Sequence, residues 1–154
     1  MRLTNNFTLA ELTKSQTAER LNIDNNPEAH YVDNLQALCV HVLQPIRDYF
    51  DKPVVISSGY RSPELSQKIG SSSRSQHCRG QAADIEIPGV SNKELADYIF
   101  ESLSFDQVIL EFHDPEELNS GWVHVSYVNH ENNRHNYLLA EKDENGKVRY
   151  TKWQ

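Results

Sequence analysis

A chain of 154 residues, 38% hydrophobic and 24% charged, has the make-up of one globular domain that buries a core without disulfide staples, so a single domain over 1–154 is expected. The net charge of −7 argues against a nucleic-acid phosphate partner and against loose adhesion to an anionic envelope. No apolar run reaches the ~18 residues of a membrane span, and the N-terminus MRLTNNFTLAELTKSQ lacks the basic-then-apolar order of a signal peptide; the expectation is a monomer made in the cytoplasm, with no membrane insertion.

Residues 7–22 read as a first helix, with Thr8 as N-cap and Glu11 completing a capping box. NIDNNP then makes a polar turn. Over 28–50 the apolar residues Leu35, Leu38, Cys39, Val42, Leu43 and Ile46 recur at helical spacing, and Pro45 should kink that helix or restart it. The β-branched run over 54–58 reads as a strand. Residues 63–69 form a short helix with Ser62 as N-cap and Pro63 at its first position, followed by the loop GSSSRS. A second strand spans 81–87, and Ser91 caps a helix reaching about 103, with a capping box to Glu94. Strands follow over 107–112 and 122–127, separated by a polar loop over 114–121. Residues 136–140 and 148–153 pair as a closing hairpin about a turn at 144–146. The fold class is α+β: N-terminal helices packed on a small, mainly antiparallel sheet.

The run SQHCRGQAAD carries the densest chemistry. An imidazole and a carboxylate, His77 and Asp84, are donors that suit zinc. They are not spaced for one helix face, but a loop-to-strand path can join them: Gly80 permits a tight turn, and Ala82 and Ala83 leave room beside a metal. Within the strand, Asp84 and Glu86 share a face opposite Ala83, Ile85 and Ile87. In WVHVS, Val123 and Val125 point to the core and Trp122, His124 and Ser126 to the other side, so His124 sits on a rigid strand. Two histidines and one carboxylate leave a fourth tetrahedral position open, as a catalytic zinc requires. The expected cofactor is one Zn2+ per chain. The two cysteines, Cys39 and Cys78, have no zinc-knuckle spacing and are given no metal role.

Four ordered segments, SGYRS at 58–62, Ser75, the His77-x6-Asp84 pair and Trp122-Val123-His124, resemble the zinc D-Ala-D-Ala carboxypeptidase family, peptidoglycan metallopeptidases that share their core with the hedgehog signalling domain. The resemblance runs from about Phe7 to Tyr137. It implies that His77, Asp84 and His124 are zinc ligands, that Arg61 holds the scissile carbonyl or a substrate carboxylate, and that Ser75 orients the substrate. Trp122 reads as a wall of the substrate site or a core aromatic rather than a sugar platform. Many members place an acid three positions before the last histidine; here that position is Gly121. Glu111, closing QVILEF, a segment also found in the phage-like branch of the family, is the replacement general base. Asp106 is a weaker candidate that also reads as a cap or turn residue, and His113 could stand near the same site.

The implied partner is a peptidoglycan stem peptide, cut by metal-activated water as a carboxypeptidase or an endopeptidase. Without a signal peptide, the resemblance to the phage-like branch suggests a lysis protein that reaches the wall after phage-type release. Two other functions fit the same residues: a non-catalytic zinc module that binds wall peptide or protein, and an intracellular D-Ala-D-Ala dipeptidase. Ser75 reads equally as a plain loop serine. The run HENNRH, with His130, Asn133 and His135, superficially suggests a nuclease site but reads as a solvated loop on this acidic chain.

Overall fold

The computed structural model describes residues 1–117 and 120–153; positions 118 and 119 of the expected polar loop, and 154, lie outside the described residues. A two-stranded ribbon, β1 (Arg2–Thr4) and β2 (Phe7–Thr8), leads into α1 (Leu9–Thr13) and α2 (Gln16–Leu21). The expected single helix over 7–22 is thus divided. Thr8 and Glu11 form the anticipated capping box on α1. Ser15 then caps a second start, its hydroxyl accepting from the Ala18 amide at 3.1 Å. A serine that satisfies a fresh set of amides competes with helix continuation, which explains the break.

The run from Ala29 to Phe50 is continuous: α3 (Ala29–Leu38), a π-helical turn (Cys39–Leu43) and α4 (Gln44–Phe50). Pro45 lies at the start of α4, directly after the π-helical turn, so the expected restart falls there. The widened turn, in which the Gln44 amide donates to the Cys39 carbonyl five residues back, admits a residue without an N–H at the next position. The helical stripe Leu35, Leu38, Cys39, Val42, Leu43 and Ile46 is fully buried. Each such side chain contributes about 2 kcal/mol of apolar burial, so this run anchors the helical layer.

The main sheet has six strands in the order β3-β4-β6-β5-β7-β8: β3 (Val55–Ser58), β4 (Ala82–Glu86), β5 (Gln107–Glu111), β6 (Trp122–Ser126), β7 (Asn136–Lys142) and β8 (Val148–Lys152). All neighbours are antiparallel except β5 and β7, which run parallel. The closing hairpin forms as expected, its turn tied by the Asp143 carboxylate accepting from the Asn145 and Lys147 amides. Two further helices complete the chain, α5 (Pro63–Lys68) and α6 (Asn92–Ser102). Ser62 caps α5 as anticipated. Ser91 caps α6, but the return bond from Glu94 that would complete a capping box is absent.

Registry decides what each face of the sheet carries, because directly paired residues point the same way. Ala83, Ile85, Val108, Leu110, Val123 and Val125 face the helices and join one core with the α3, π-turn and α6 residues. The opposite face carries two rows across the strands. One is Ser58, Asp84, His124, Ile109 and Leu138; the other is Trp122, Glu111, Ala140 and Tyr150. The expected alternation in β4 and β6 therefore holds, Ala83 included; of the two alanines expected to leave room beside a metal, Ala83 packs into the core and only Ala82 shares the face of Asp84. Among the described residues no helix is long and apolar enough to cross a membrane.

The loop before β6 closes on Gly121, which has a φ of +68° and whose missing Cβ would run into the carbonyl of Glu111. Only glycine adopts that backbone without strain beside another main chain. Gly121→Ala is expected to lower the unfolding free energy by about 2 kcal/mol or more, read as a fall in the denaturant midpoint at unchanged slope.

Candidate metal centre

His77 enters the site on a short 3-10 turn (Gln76–Arg79) that lies on the expected loop-to-strand path to Asp84. Ser75 caps the turn, its hydroxyl accepting from the His77 amide at 3.2 Å, and Gly80 ends it with a φ of +70°. The segment Gly59-Tyr60-Arg61 grips His77 from two sides. The Gly59 carbonyl accepts from ring Nδ1 at 2.8 Å, and the Arg61 amide donates to the His77 carbonyl at 3.1 Å. An Nδ1–H given to a carbonyl leaves the Nε2 lone pair free, the tautomer a metal ligand needs. That Nε2 lies 3.4 Å from Asp84 Oδ1.

Asp84 and His124 face each other across β4 and β6, with His124 Nδ1 3.1 Å from the same Asp84 oxygen. One donor atom from each of the three residues lies within 4.8 Å of the others. Tetrahedral bonds of zinc length, about 2.0–2.1 Å, would separate neighbouring donors by roughly 3.3 Å; the 3.1 and 3.4 Å spacings fit that frame. The charge states fit as well. Burial, offset in part by Asp84, pushes the His77 imidazole below its ordinary pKa and keeps it neutral. Burial acts to raise the Asp84 carboxyl, but its bonds with His124 and His77 outweigh it and hold Asp84 well below the usual carboxylate range. No fourth histidine, cysteine or acid joins the trio among the described residues, which leaves a tetrahedral ion an open position.

The trio lines a cleft of about 610 Å³ together with Arg61, Ser75, Gln107, Glu111, Trp122 and Tyr150. A space of that size accommodates a stretch of peptide rather than a bare ion. Glu111 is opposite Trp122 in the β5–β6 register, and the indole N–H donates to its Oε2 at 2.7 Å. Burial, then the Asp84 charge, raises the Glu111 pKa; His124, the indole bond and Arg61 pull the other way. Among the described residues Arg61 forms no ion pair and its buried Nε has no hydrogen-bond partner, so the guanidinium keeps unspent donors at the cleft wall. Gly121 could not carry an acid in the place where the resembling family often has one, since its side-chain position is filled by the Glu111 carbonyl.

Other sequence candidates fall elsewhere. Asp106 is buried and serves as an anchor: it accepts from Arg134 Nε and Nη2 at 3.0 and 2.8 Å and from the Gln76 side-chain Nε2 at 2.9 Å. It thereby ties the His77 turn to the start of β5. His113 is not among the residues lining the cleft. His130 stacks edge-on against His41 and Tyr127, and His135 packs against Phe100 and Phe105, so HENNRH is a structural loop. Cys39 and Cys78 are both buried free thiols, and burial pushes the Cys39 thiol up to about 12.

Sequence reasoning missed Asn25. Its amide donates to the carbonyls of Thr13 and Tyr60 at 2.7 and 3.1 Å, and its oxygen accepts from the Ser62 amide at 2.7 Å. One side chain thus pins the Gly59–Ser62 segment that orients His77. Only its place in the polar cluster NIDNNP hinted at a local role. Asn25→Ala is expected to weaken metal affinity by about tenfold, as loss of an outer-shell support does, measured by competition with a chromophoric chelator. Unchanged affinity would remove Asn25 from the ordering of His77.

A search of the curated proteins finds no match to this chain. The family described as peptidase M15 matches residues 5–126, a span that contains the 3-10 turn, β4, β5 and β6 and therefore every residue of the trio. The chain belongs to the peptidase M15 family, a family of zinc-dependent peptidases.

Proposed function

We propose that this protein hydrolyses peptide bonds of bacterial peptidoglycan, as a D-Ala-D-Ala carboxypeptidase or a stem-peptide endopeptidase, with zinc held by His77, Asp84 and His124. The observation that carries the proposal is the placement of an acid outside the donor trio but in the same cleft: Glu111, one strand from His124 and partly withdrawn from solvent. A bound zinc ion would supply Lewis acidity at the open position, both to the attacking water and to the scissile carbonyl. Glu111 takes one proton from that water as its oxygen adds to the carbonyl carbon, and delivers the proton to the departing nitrogen as the C–N bond breaks. Burial and the Asp84 charge raise its pKa, the direction that helps a carboxylate take up and hold a proton between the two transfers. Trp122 fixes the carboxylate by its 2.7 Å bond and leaves the other oxygen for the water. Arg61, whose guanidinium has no ion-pair partner among the described residues, stabilises the oxygen that gains negative charge. Ser75 and Trp122 line the cleft beside these groups and bear on the peptide itself.

The direct test is incubation of the zinc-loaded protein with purified peptidoglycan and with D-Ala-D-Ala dipeptide, following new amines and identifying products by mass. Release from the wall polymer is expected. Turnover of the dipeptide alone would make the protein a dipeptidase, and tight wall binding without release would make it a binding module. Glu111→Gln should retain zinc and lose activity by at least about a hundredfold; unchanged rates would exclude Glu111 as the base. Trp122→Phe, which keeps the ring but removes the N–H, should lower kcat by about tenfold with little change in KM, checked by steady-state kinetics on a stem pentapeptide.

A further inference from the structure

Gln76, the residue just before the first metal donor, is held at one end of its side chain only. Its Nε2 donates to Asp106 Oδ2 at 2.9 Å. Burial acts to raise the Asp106 carboxyl, but the bonds from Arg134 and Gln76 outweigh it and keep its pKa below the ordinary carboxylate range, so the group is ionised. An ionised carboxylate only accepts hydrogen bonds, and Asp106 thereby dictates which way the Gln76 amide is turned: Nε2 inward, Oε1 away. Among the described residues Oε1 accepts from no group and is not sealed from solvent, and Gln76 lines the metal cleft. Bracing the His77 turn uses the N–H half of this amide and leaves the carbonyl half without a task.

Strand register says where that carbonyl stands. On the cleft face of β5, Glu111 is beside Trp122 and Ile109 is beside the His124 donor. Gln107 comes next on the same face, directly after Asp106. Gln76, anchored to Asp106, therefore lies across the metal donors from Glu111. Residues two apart on a strand are separated by about 7 Å, the reach of about two residues of extended peptide. The Gln107 side chain lines the same end and is also without a hydrogen-bond partner among the described residues. Two neutral amides, one with its oxygen fixed outward, suit the N–H of a peptide group and offer nothing to attract a carboxylate.

We infer that Gln76 binds the substrate: its side-chain carbonyl accepts a hydrogen bond from a main-chain N–H of the peptide, one or two residues from the bond that is cut, on the side of the metal donors away from Glu111. This role rests on the proposed hydrolysis and adds to it a demand for an amide N–H at that place. The acceptor is preset, because Asp106 and Arg134 fix the amide before a peptide arrives, and little side-chain freedom is lost on binding. An ester at the same place brings an oxygen with no proton to share, and two facing acceptors weaken binding.

The test uses zinc-loaded protein and a stem peptide whose cut is located by product mass. Each other amide within two residues of the cut is replaced in turn by an ester, which removes the N–H and keeps the chain length. One of these esters is expected to lower wild-type kcat/KM by about tenfold. In Gln76→Met the same ester and its parent amide should differ by less than about twofold, because the acceptor that told them apart is gone. A bracing role alone would lower both peptides alike and leave their ratio at the wild-type value, which overturns the assignment. A wild-type protein indifferent to every ester overturns it too. Should Gln76→Met fail to fold, 13C-labelled glutamine in zinc-loaded Glu111→Gln protein reads the same contact. The Gln76 side-chain carbonyl resonance should then shift with the amide peptide and not with the ester, and equal responses refute the contact. Should no peptide be cut, the hydrolytic proposal fails on its own, and calorimetric affinities decide Gln76. An amide preference of about tenfold that vanishes in Gln76→Met supports the role; no preference, or one that persists, refutes it.

Discussion

The site depends on a carboxylate held under two imidazoles in the sheet. Asp84 has only 14% of its side chain exposed, and a charge so placed needs partners. Antiparallel registry supplies His124 directly opposite, and a turn from a different part of the chain supplies His77. A slip of one residue in β4 or β6 would send one donor into the core and a valine or isoleucine into the cleft. The buried set Ala83, Ile85, Val123 and Val125 forbids that slip, so the hydrophobic core is what fixes the spacing of the polar atoms.

Polar supports from outside the sheet complete the frame. The carbonyl of Gly59 selects the His77 tautomer, Asn25 pins the segment that carries that carbonyl, and Asp106 joins Gln76 and Arg134 to brace the turn from below. These bonds come from four separate stretches of chain, which converge on one histidine. A ring held at both its backbone and its Nδ1 has little freedom left to lose when a metal binds, and this preorganisation favours affinity. The general-base candidate is treated differently. Among the described residues the Glu111 carboxylate accepts a single side-chain hydrogen bond, from the Trp122 indole, and it lines the cleft. A group that must pick up and release a proton is better served by that looser arrangement.

The order of the strands divides the cleft by chemistry. The metal donors and Arg61 lie toward β3, β4 and β6, the acid lies on β5, and apolar side chains lie toward β7 and β8. The parallel β5–β7 pair makes this gradient possible: after β6 returns beside β5, the chain crosses over and adds β7 on the free edge of β5. The hairpin then both covers what would be an exposed edge next to the site and extends the binding surface.

Much of the site was legible from residue type and short-range order. The alternation in AADIE and WVHVS placed Asp84 and His124 on outward faces, the helical stripe from Leu35 to Ile46 marked the core, and the Thr8–Glu11 and Ser62 caps marked helix starts; each is a local preference written into a few adjacent residues. The sequence by itself thus determined which side chains could bind a metal and which face each would take. Tertiary structure alone decided the rest: that Asp106 anchors Arg134, that Asn25 serves His77 from far along the chain, that Gly121 is glycine because the Glu111 carbonyl occupies its side-chain space, and that Tyr150 reaches the cleft. These depend on strand order and registry between distant segments, and no local periodicity encodes which edge of a sheet a later strand will join.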